Sequence, residues 1–291
     1  MDRIPEKIRE GKILLEIIKA IIFGIVEGIT EWLPISSTGH MIILDDFIKL
    51  DCSEEFMEMF LVVIQLGAIL AVVWLFWNKI FPFQFKDRQK PVIEQEKMVL
   101  WCKIIVACIP AAVVGILFDD VFEALFYHAL PVAIALIVFG IAFILIERGN
   151  ESRRPRIREM EDIDFKTALI IGMFQLIAAV FPGTSRSGAT IVGALLVGVS
   201  RTAASEFTFC LAIPVMFGAS LLKILKFGLS FTGMEAAILI VGMLVAFIVS
   251  VFVIRFLMDY IKRHDFQVFG WYRIILGMVV ILFNICGIIH V

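Results

Sequence analysis

The chain has 291 residues, 60% of them hydrophobic and 19% charged, with a formal net charge of -2 and a mean hydropathy of +0.97. That charge is too sparse to coat a soluble domain of this size. No basic tract interleaved with aromatics is present, so a nucleic-acid partner is excluded, and the five cysteines show no metal-ligand spacing and read as small buried hydrophobes.

Residues 1–12 carry too many charges for a signal peptide and are followed by no small-residue cleavage site. The apolar stretch 13–43 comes next and is interrupted by Glu27, Glu31 and Pro34. The runs 56–77, 99–118, 130–146, 207–225, 236–257 and 271–291 are each about as long as a bilayer-spanning helix, which needs about 20 residues. A second interrupted apolar stretch, 165–199, turns at Phe181-Pro182-Gly183. The connections 78–103, 147–166 and 255–273 are rich in Lys and Arg, including Lys79, Lys86, Arg88, Lys90, Arg148, Arg153, Lys262 and Arg273. The positive-inside rule places them in the cytoplasm. The acidic connections 45–58 and 119–128, with Asp119, Asp120 and Glu123 in the latter, read as outside.

Counting crossings between these loops works only if 165–199 leaves on the side it entered, and 13–43 fits the same pattern from the other side. The expected fold class is therefore an all-α integral membrane protein forming one domain over 1–291. It is an inverted-topology repeat of two halves, 13–147 and 165–291, each a re-entrant helical hairpin plus three transmembrane helices. Pro34 aligns with Pro182 and Glu27 with Gln175 between the halves. The basic residues Arg3, Lys7, Arg9 and Lys12 run against an outside start, although Asp2, Glu6 and Glu10 nearly offset them. Inverted repeats with broken helices place a site where the two breaks meet.

The first break reads Glu27-Gly28-Ile29-Thr30-Glu31-Trp32-Leu33-Pro34-Ile35-Ser36-Ser37-Thr38-Gly39-His40. Glu27 and Glu31 share one helix face, and two carboxylates there repel unless a divalent cation or a shared proton intervenes. Intramembrane carboxylates mark functional sites by default. Pro34 ends the first half-helix, and Ser36, Ser37 and Thr38 are natural N-caps for the next. His40, close to two carboxylates and several hydroxyls, suits general acid or base work. Gly24 and Gly28 make a small-residue face for close helix packing.

The second break reads Pro182-Gly183-Thr184-Ser185-Arg186-Ser187-Gly188-Ala189-Thr190. Hydroxyls and glycines at a helix N-terminus make an anion cradle, and Arg186 adds a donor fork matched to phosphate. The residues alone lead to an intramembrane anion site with carboxylates.

At these two segments the sequence resembles the undecaprenyl-pyrophosphate phosphatase family of the bacterial cytoplasmic membrane. The Glu-xxx-Glu motif running into Pro-x-Ser-Ser-Thr-Gly-His stands intact at Glu27 to His40. The Pro-Gly-x-Ser-Arg-Ser-x-x-Thr motif stands intact at Pro182 to Thr190. The stretches around Gln65 and around Glu206 also look like the family, and the resemblance covers nearly the whole chain. It implies removal of the terminal phosphate from a C55 polyprenyl pyrophosphate at the outer face of the inner membrane. That activity recycles the carrier lipid for wall synthesis and carries a link to antibiotic resistance. It also implies dependence on Mg²⁺ or Ca²⁺.

Under that resemblance Glu31, Ser37, His40 and Arg186 are the catalytic set. Glu27, Ser36, Thr38, Gly183, Ser185, Ser187 and Thr190 bind substrate, and Glu27 and Glu31 hold the metal. Ser37 is the candidate nucleophile with Glu31 or His40 as base, and direct attack by water is the alternative. The partners are the polyprenyl pyrophosphate lipid and the bilayer, with a homo-oligomer left open. A transporter or flippase for a phosphorylated lipid is the rival function, because broken inverted repeats also suit carriers.

Overall fold

The computed structural model describes residues 6–85, 91–228 and 230–288. Arg3, Asp2, Lys86, Arg88 and Lys90 lie outside them, as do the side chains of Glu6, Lys7, Arg9, Asp119, Asp120 and Glu123. The described chain is helical, with α1 Glu6–Thr30, α2 Ser37–Phe47, α3 Glu54–Leu75, a short α4 Trp77–Ile80, α5 Gln95–Phe126 and α6 Ala129–Asn150. A 3-10 turn at Met160–Asp162 leads to α7 Phe165–Val180, α8 Arg186–Leu196, α9 Arg201–Phe227, α10 Gly233–Tyr260 and α11 Gln267–Ile285. No strand forms among the described residues, only isolated bridges such as Ile157 to Val199.

Six of these helices, α3, α5, α6, α9, α10 and α11, are long and apolar enough to cross a bilayer. They coincide with the six apolar runs read from the sequence, so the chain is an integral, multi-pass membrane protein. Large apolar side chains stay exposed along them, among them Leu70, Trp74, Ile116, Leu145 and Phe252. Lipid is the solvent for that surface, and burying it between helices brings little hydrophobic gain.

Association therefore depends on close approach. Helices α6 and α11 pack together where Gly140 faces Gly270, and a Cβ on either would lie 2.7 Å from the carbonyl oxygen of the other. Gly24 and Gly28 do the same for α1 on α10, as their spacing predicts.

The two pairs α1–α2 and α7–α8 are each interrupted at a proline. Helix α1 stops at Thr30, four residues before Pro34, and α7 stops at Val180, two before Pro182. Ser36 caps α2 by accepting from Gly39 N at 3.3 Å, and Ser185 caps α8 by accepting from Gly188 N at 3.2 Å. Both serines have positive φ, 76° and 69°. The structural match of Ser36 with Ser185 is one residue out of step with the alignment that pairs Pro34 with Pro182, because the capping serine follows the proline by two residues in the first break and by three in the second.

Arg273 corrects the loop assignment. Counted with the basic connections, it instead lies inside α11 and is 0% exposed. Its Nη1 donates to Pro34 O at 3.2 Å, and its Nη2 donates to Gly183 O at 2.9 Å and Thr184 O at 2.6 Å. These carbonyls belong to the two breaks and have lost their helical partners. Non-helical backbone at membrane depth needs such satisfaction from protein. One guanidinium thus bolts both breaks to α11. Gly188 makes room for it, since a Cβ there would sit 2.9 Å from Arg273 Nη1.

Replacing Arg273 by Met leaves three buried carbonyls without donors, at about 1–3 kcal/mol each. Arg273→Met is expected to lower the thermal midpoint of the detergent-solubilised protein by at least several degrees. Arg273→Lys, a point charge lacking the fork, should recover only part of it. A midpoint equal to wild type for Arg273→Met contradicts the bolt.

Candidate active site

The two breaks meet at a cavity of about 170 Å³. Glu31, Ser37 and Thr38 line it from the first break, Pro182, Gly183, Ser185 and Arg186 from the second, and Gln65 and Met216 from α3 and α9. The N-terminal ends of α2 and α8 both arrive there, with their free N–H groups and positive dipole ends. A larger cavity of about 370 Å³ is walled by Trp77, Phe81 and Trp101 and has no polar side chain placed to act on a substrate.

A hydrogen-bonded chain crosses the site. Ser37 Oγ donates to Glu31 Oε2 at 2.8 Å, and Arg186 Nη2 donates to Glu31 Oε1 at 2.8 Å. Arg186 Nη1 donates to Thr208 O at 3.1 Å, which orients the guanidinium plane. Its Nε is buried without a partner. Glu31 and Arg186 form an ion pair with side chains 6% and 12% exposed. The hydroxyl of Ser37 is thus held against a carboxylate whose own charge is compensated from the second break.

Not every predicted residue faces this cavity. Ser187 is buried and donates to Glu31 O at 3.1 Å, tying the second break to the first. Thr190 is buried as well. Its Oγ1 donates to Arg186 O at 2.9 Å and accepts from Thr208 at 2.9 Å. Both therefore stand behind the cavity lining, bonded to the backbone of Glu31 and of Arg186. Ser36 is buried as the N-cap.

His40 lies outside the Ser37–Glu31–Arg186 chain. Its Nδ1 is 2.7 Å from Ser36 O, and its Nε2 is 2.7 Å from the Tyr272 hydroxyl, against whose ring it stacks. Only a donor can pair with the Ser36 carbonyl, so Nδ1 carries a proton, and in the neutral ring Nε2 accepts from the Tyr272 hydroxyl. This geometry supports the positive-φ turn at Ser36 and leaves Glu31 as the group that touches Ser37.

Glu27 is 1% exposed, and its Oε1 has no hydrogen-bond partner. Its carboxyl meets that of Glu31 at hydrogen-bonding range and lies within electrostatic reach of Arg186, and it is not among the residues that line the cavity. Among the described residues no group of three or more His, Cys, Asp or Glu side chains could hold a metal. Two carboxylates supply only part of a divalent coordination shell, and Mg²⁺ commonly takes the rest from substrate phosphates and water. An orphaned Glu27 oxygen beside a second carboxylate is compatible with a cation, and the contact between the two carboxyls is equally compatible with a shared proton.

The match of sequence to known proteins follows the same residues. Residues 20–279 match the family model described as bacitracin resistance protein BacA. The chain belongs to the BacA family. A Desulfitobacterium hafniense protein named undecaprenyl-diphosphatase is 67% identical over 270 residues, covering 93% of this chain and 96% of its own. One from Clostridium acetobutylicum, undecaprenyl-diphosphatase 1, is 62% identical over 269 residues, covering 92% and 97%. An Enterococcus faecalis undecaprenyl-diphosphatase is 60% identical over 268 residues, again covering 92% and 97%.

Sequence reasoning gave no site role to two residues of this BacA chain. Arg273 was legible as a cation near the start of an apolar run, and Gln65 as an amide in the middle of one. Each is a default functional signal inside a membrane span.

The ion pair should be non-additive. Removing one partner of a buried pair costs about 3–5 kcal/mol because the other charge is left uncompensated. Glu31→Gln and Arg186→Met should each destabilise the protein strongly, and the double variant less than the sum of the two. Denaturation midpoints of the four proteins check this, and simple additivity would mean the pair is not formed.

Proposed function

We propose that this chain hydrolyses a C55 polyprenyl diphosphate to the monophosphate and inorganic phosphate, recycling a wall-synthesis carrier lipid. The observation that carries this reading is Ser37 held on Glu31, and Glu31 on Arg186, in a cavity fed by two helix N-termini. The names of its relatives support it. A carrier that only moves a phosphorylated lipid has no use for a serine poised against a carboxylate.

In this reading the diphosphate lies among the helix N-termini, and the tail runs into the bilayer between helices. Arg186 and Ser185 bind phosphoryl oxygens and stabilise charge that develops on them. Thr38 and the Gly183 backbone complete the cradle. A divalent cation held at Glu27 and Glu31, Mg²⁺ or Ca²⁺, supplies charge neutralisation when bound.

Ser37 Oγ attacks the terminal phosphorus, and its proton passes to Glu31 Oε2. The bond from phosphorus to the bridging oxygen breaks, and the electron pair leaves on the polyprenyl monophosphate with the proton that Glu31 held. Water then attacks the phosphoserine. Its proton returns through Glu31 to Ser37 Oγ as inorganic phosphate departs.

We place the protein in the bacterial inner membrane with the site open to its outer face. Helix α1 packs on α10 and α7 packs on α5, the exchange expected if two halves are related by an inverted repeat. On that reading both hairpins are re-entrant and enter from opposite faces.

Purified protein in detergent should release inorganic phosphate from C55 polyprenyl diphosphate. No release would overturn the hydrolase reading and favour a carrier. Ser37→Ala is expected to lower kcat by at least about 100-fold with little change in KM, the pattern of a lost transition-state interaction. Near-normal kcat in that variant would leave direct attack by water.

Orientation has its own check. Lys12→Cys and Lys166→Cys, each made singly in a background without the native cysteines, should react with an impermeant reagent from opposite sides of the membrane. Labelling from one side ends the inverted-repeat model.

A further inference from the structure

Gln65 sits at the middle of α3, in a run that is otherwise apolar from Phe60 to Leu75. Its register is set by Gly67, whose missing side chain lets α3 press against the Met243 backbone of α10. Two helical residues are about 200° apart, so Gln65 points away from α10. It is half-buried and lines the cavity that holds Glu31, Ser37 and Arg186. Its Nε2 reaches only Leu61 O of its own helix, at 3.5 Å, a weak bond at the edge of hydrogen-bonding range. The residues beside it on the α9 wall, Val215, Met216 and Ala219, offer the cavity no polar side chain.

An amide at the centre of a membrane span is costly unless something uses it. Within the protein almost nothing does. We propose that Gln65 contacts the substrate directly, its carboxamide N–H donating to a non-bridging phosphoryl oxygen of the diphosphate from the α3 side. A diphosphate offers only acceptors to that wall, and the Glu31–Arg186 pair already occupies part of the cationic capacity facing it. A neutral donor there grips the anion without creating a charge trap for the phosphate product. This inference rests on the phosphatase reading and assigns it one further contact.

The full chain in detergent decides it, with two readouts. The first is steady-state phosphate release from C55 polyprenyl diphosphate. The second is the Kd of a polyprenyl diphosphate analogue with a non-hydrolysable methylene bridge. Losing one hydrogen bond to a charged oxygen should raise KM and Kd about tenfold or more in Gln65→Met, with kcat less affected and the thermal midpoint unchanged. Gln65→Glu keeps the shape but turns a carboxylate towards phosphate, and should bind at least about tenfold more weakly than Gln65→Met. A merely structural Gln65 would lower the midpoint in both variants and leave Kd alone. Wild-type KM and Kd in Gln65→Met, or equal Kd for the two variants, overturns the contact. If Gln65→Met does not fold, Gln65→Glu decides alone, wild-type Kd sinking the proposal. Failure of the wild-type protein to release phosphate sinks the hydrolase reading, while the analogue's Kd series still decides Gln65. An analogue that the wild type does not bind overturns Gln65 as well.

Discussion

The structure depends on how two broken stretches of backbone are kept satisfied away from water. Each break frees carbonyls that a continuous helix would have bonded, and lipid offers no replacement donor. Arg273 provides it for both at once, its guanidinium bonded to Pro34, Gly183 and Thr184 carbonyls. The cost of burying that cation is offset by three acceptors and by the Phe139 ring, whose centroid lies 6.0 Å from Cζ. Because the same side chain reaches both breaks, it also fixes their separation. The width of the cavity between them follows from that.

With the breaks pinned, local chemistry does the rest. Ser36 and Ser185 take positive φ, a conformation costly for non-glycine residues, and are repaid by capping α2 and α8. Ser187 crosses to the Glu31 backbone, and Arg186 crosses to its carboxylate. The Ser37–Glu31–Arg186 chain is therefore assembled between the two breaks rather than within either one. Trp32 anchors the first break from beneath, fully buried and edge-on to Phe209 at 5.2 Å. Buried carboxylates at the helix ends are also paired. Glu147 accepts from Arg201 and from Phe266 N, and Glu206 pairs with Lys79.

Packing between spans supplies rigidity without a hydrophobic driving force. The facing glycines of α6 and α11, and Gly67 of α3 against α10, bring backbones to distances that larger residues would prevent. The register set in this way decides which residues look inward. It turns Gln65 to the cavity and leaves Leu70 and Trp74 on the lipid side.

Much was legible in the sequence because bilayer physics is one-dimensional. Length and apolarity alone identify a span, and all six runs became helices of that kind. Proline followed by hydroxyls and glycine marks a broken helix, and both breaks lie where those residues stand. The family motifs, with two carboxylates at one break and Arg186 at the other, were readable for the same local reason. The division of labour within the motifs was not. Ser187, Thr190 and His40 belong to the same short segments as Ser37 and Arg186, and only side-chain direction separates those facing the cavity from those behind it. Arg273 and Gln65 lie far along the chain from either break, in α11 and α3. Composition marks them as polar residues in apolar runs, but their partners are set by how helices rotate and pack. The sequence by itself determined a helical membrane protein with two proline-interrupted helices rich in hydroxyls and glycine. The tertiary structure decided which atoms meet at them, because hydrogen bonds between distant segments exist only once the helices are in place.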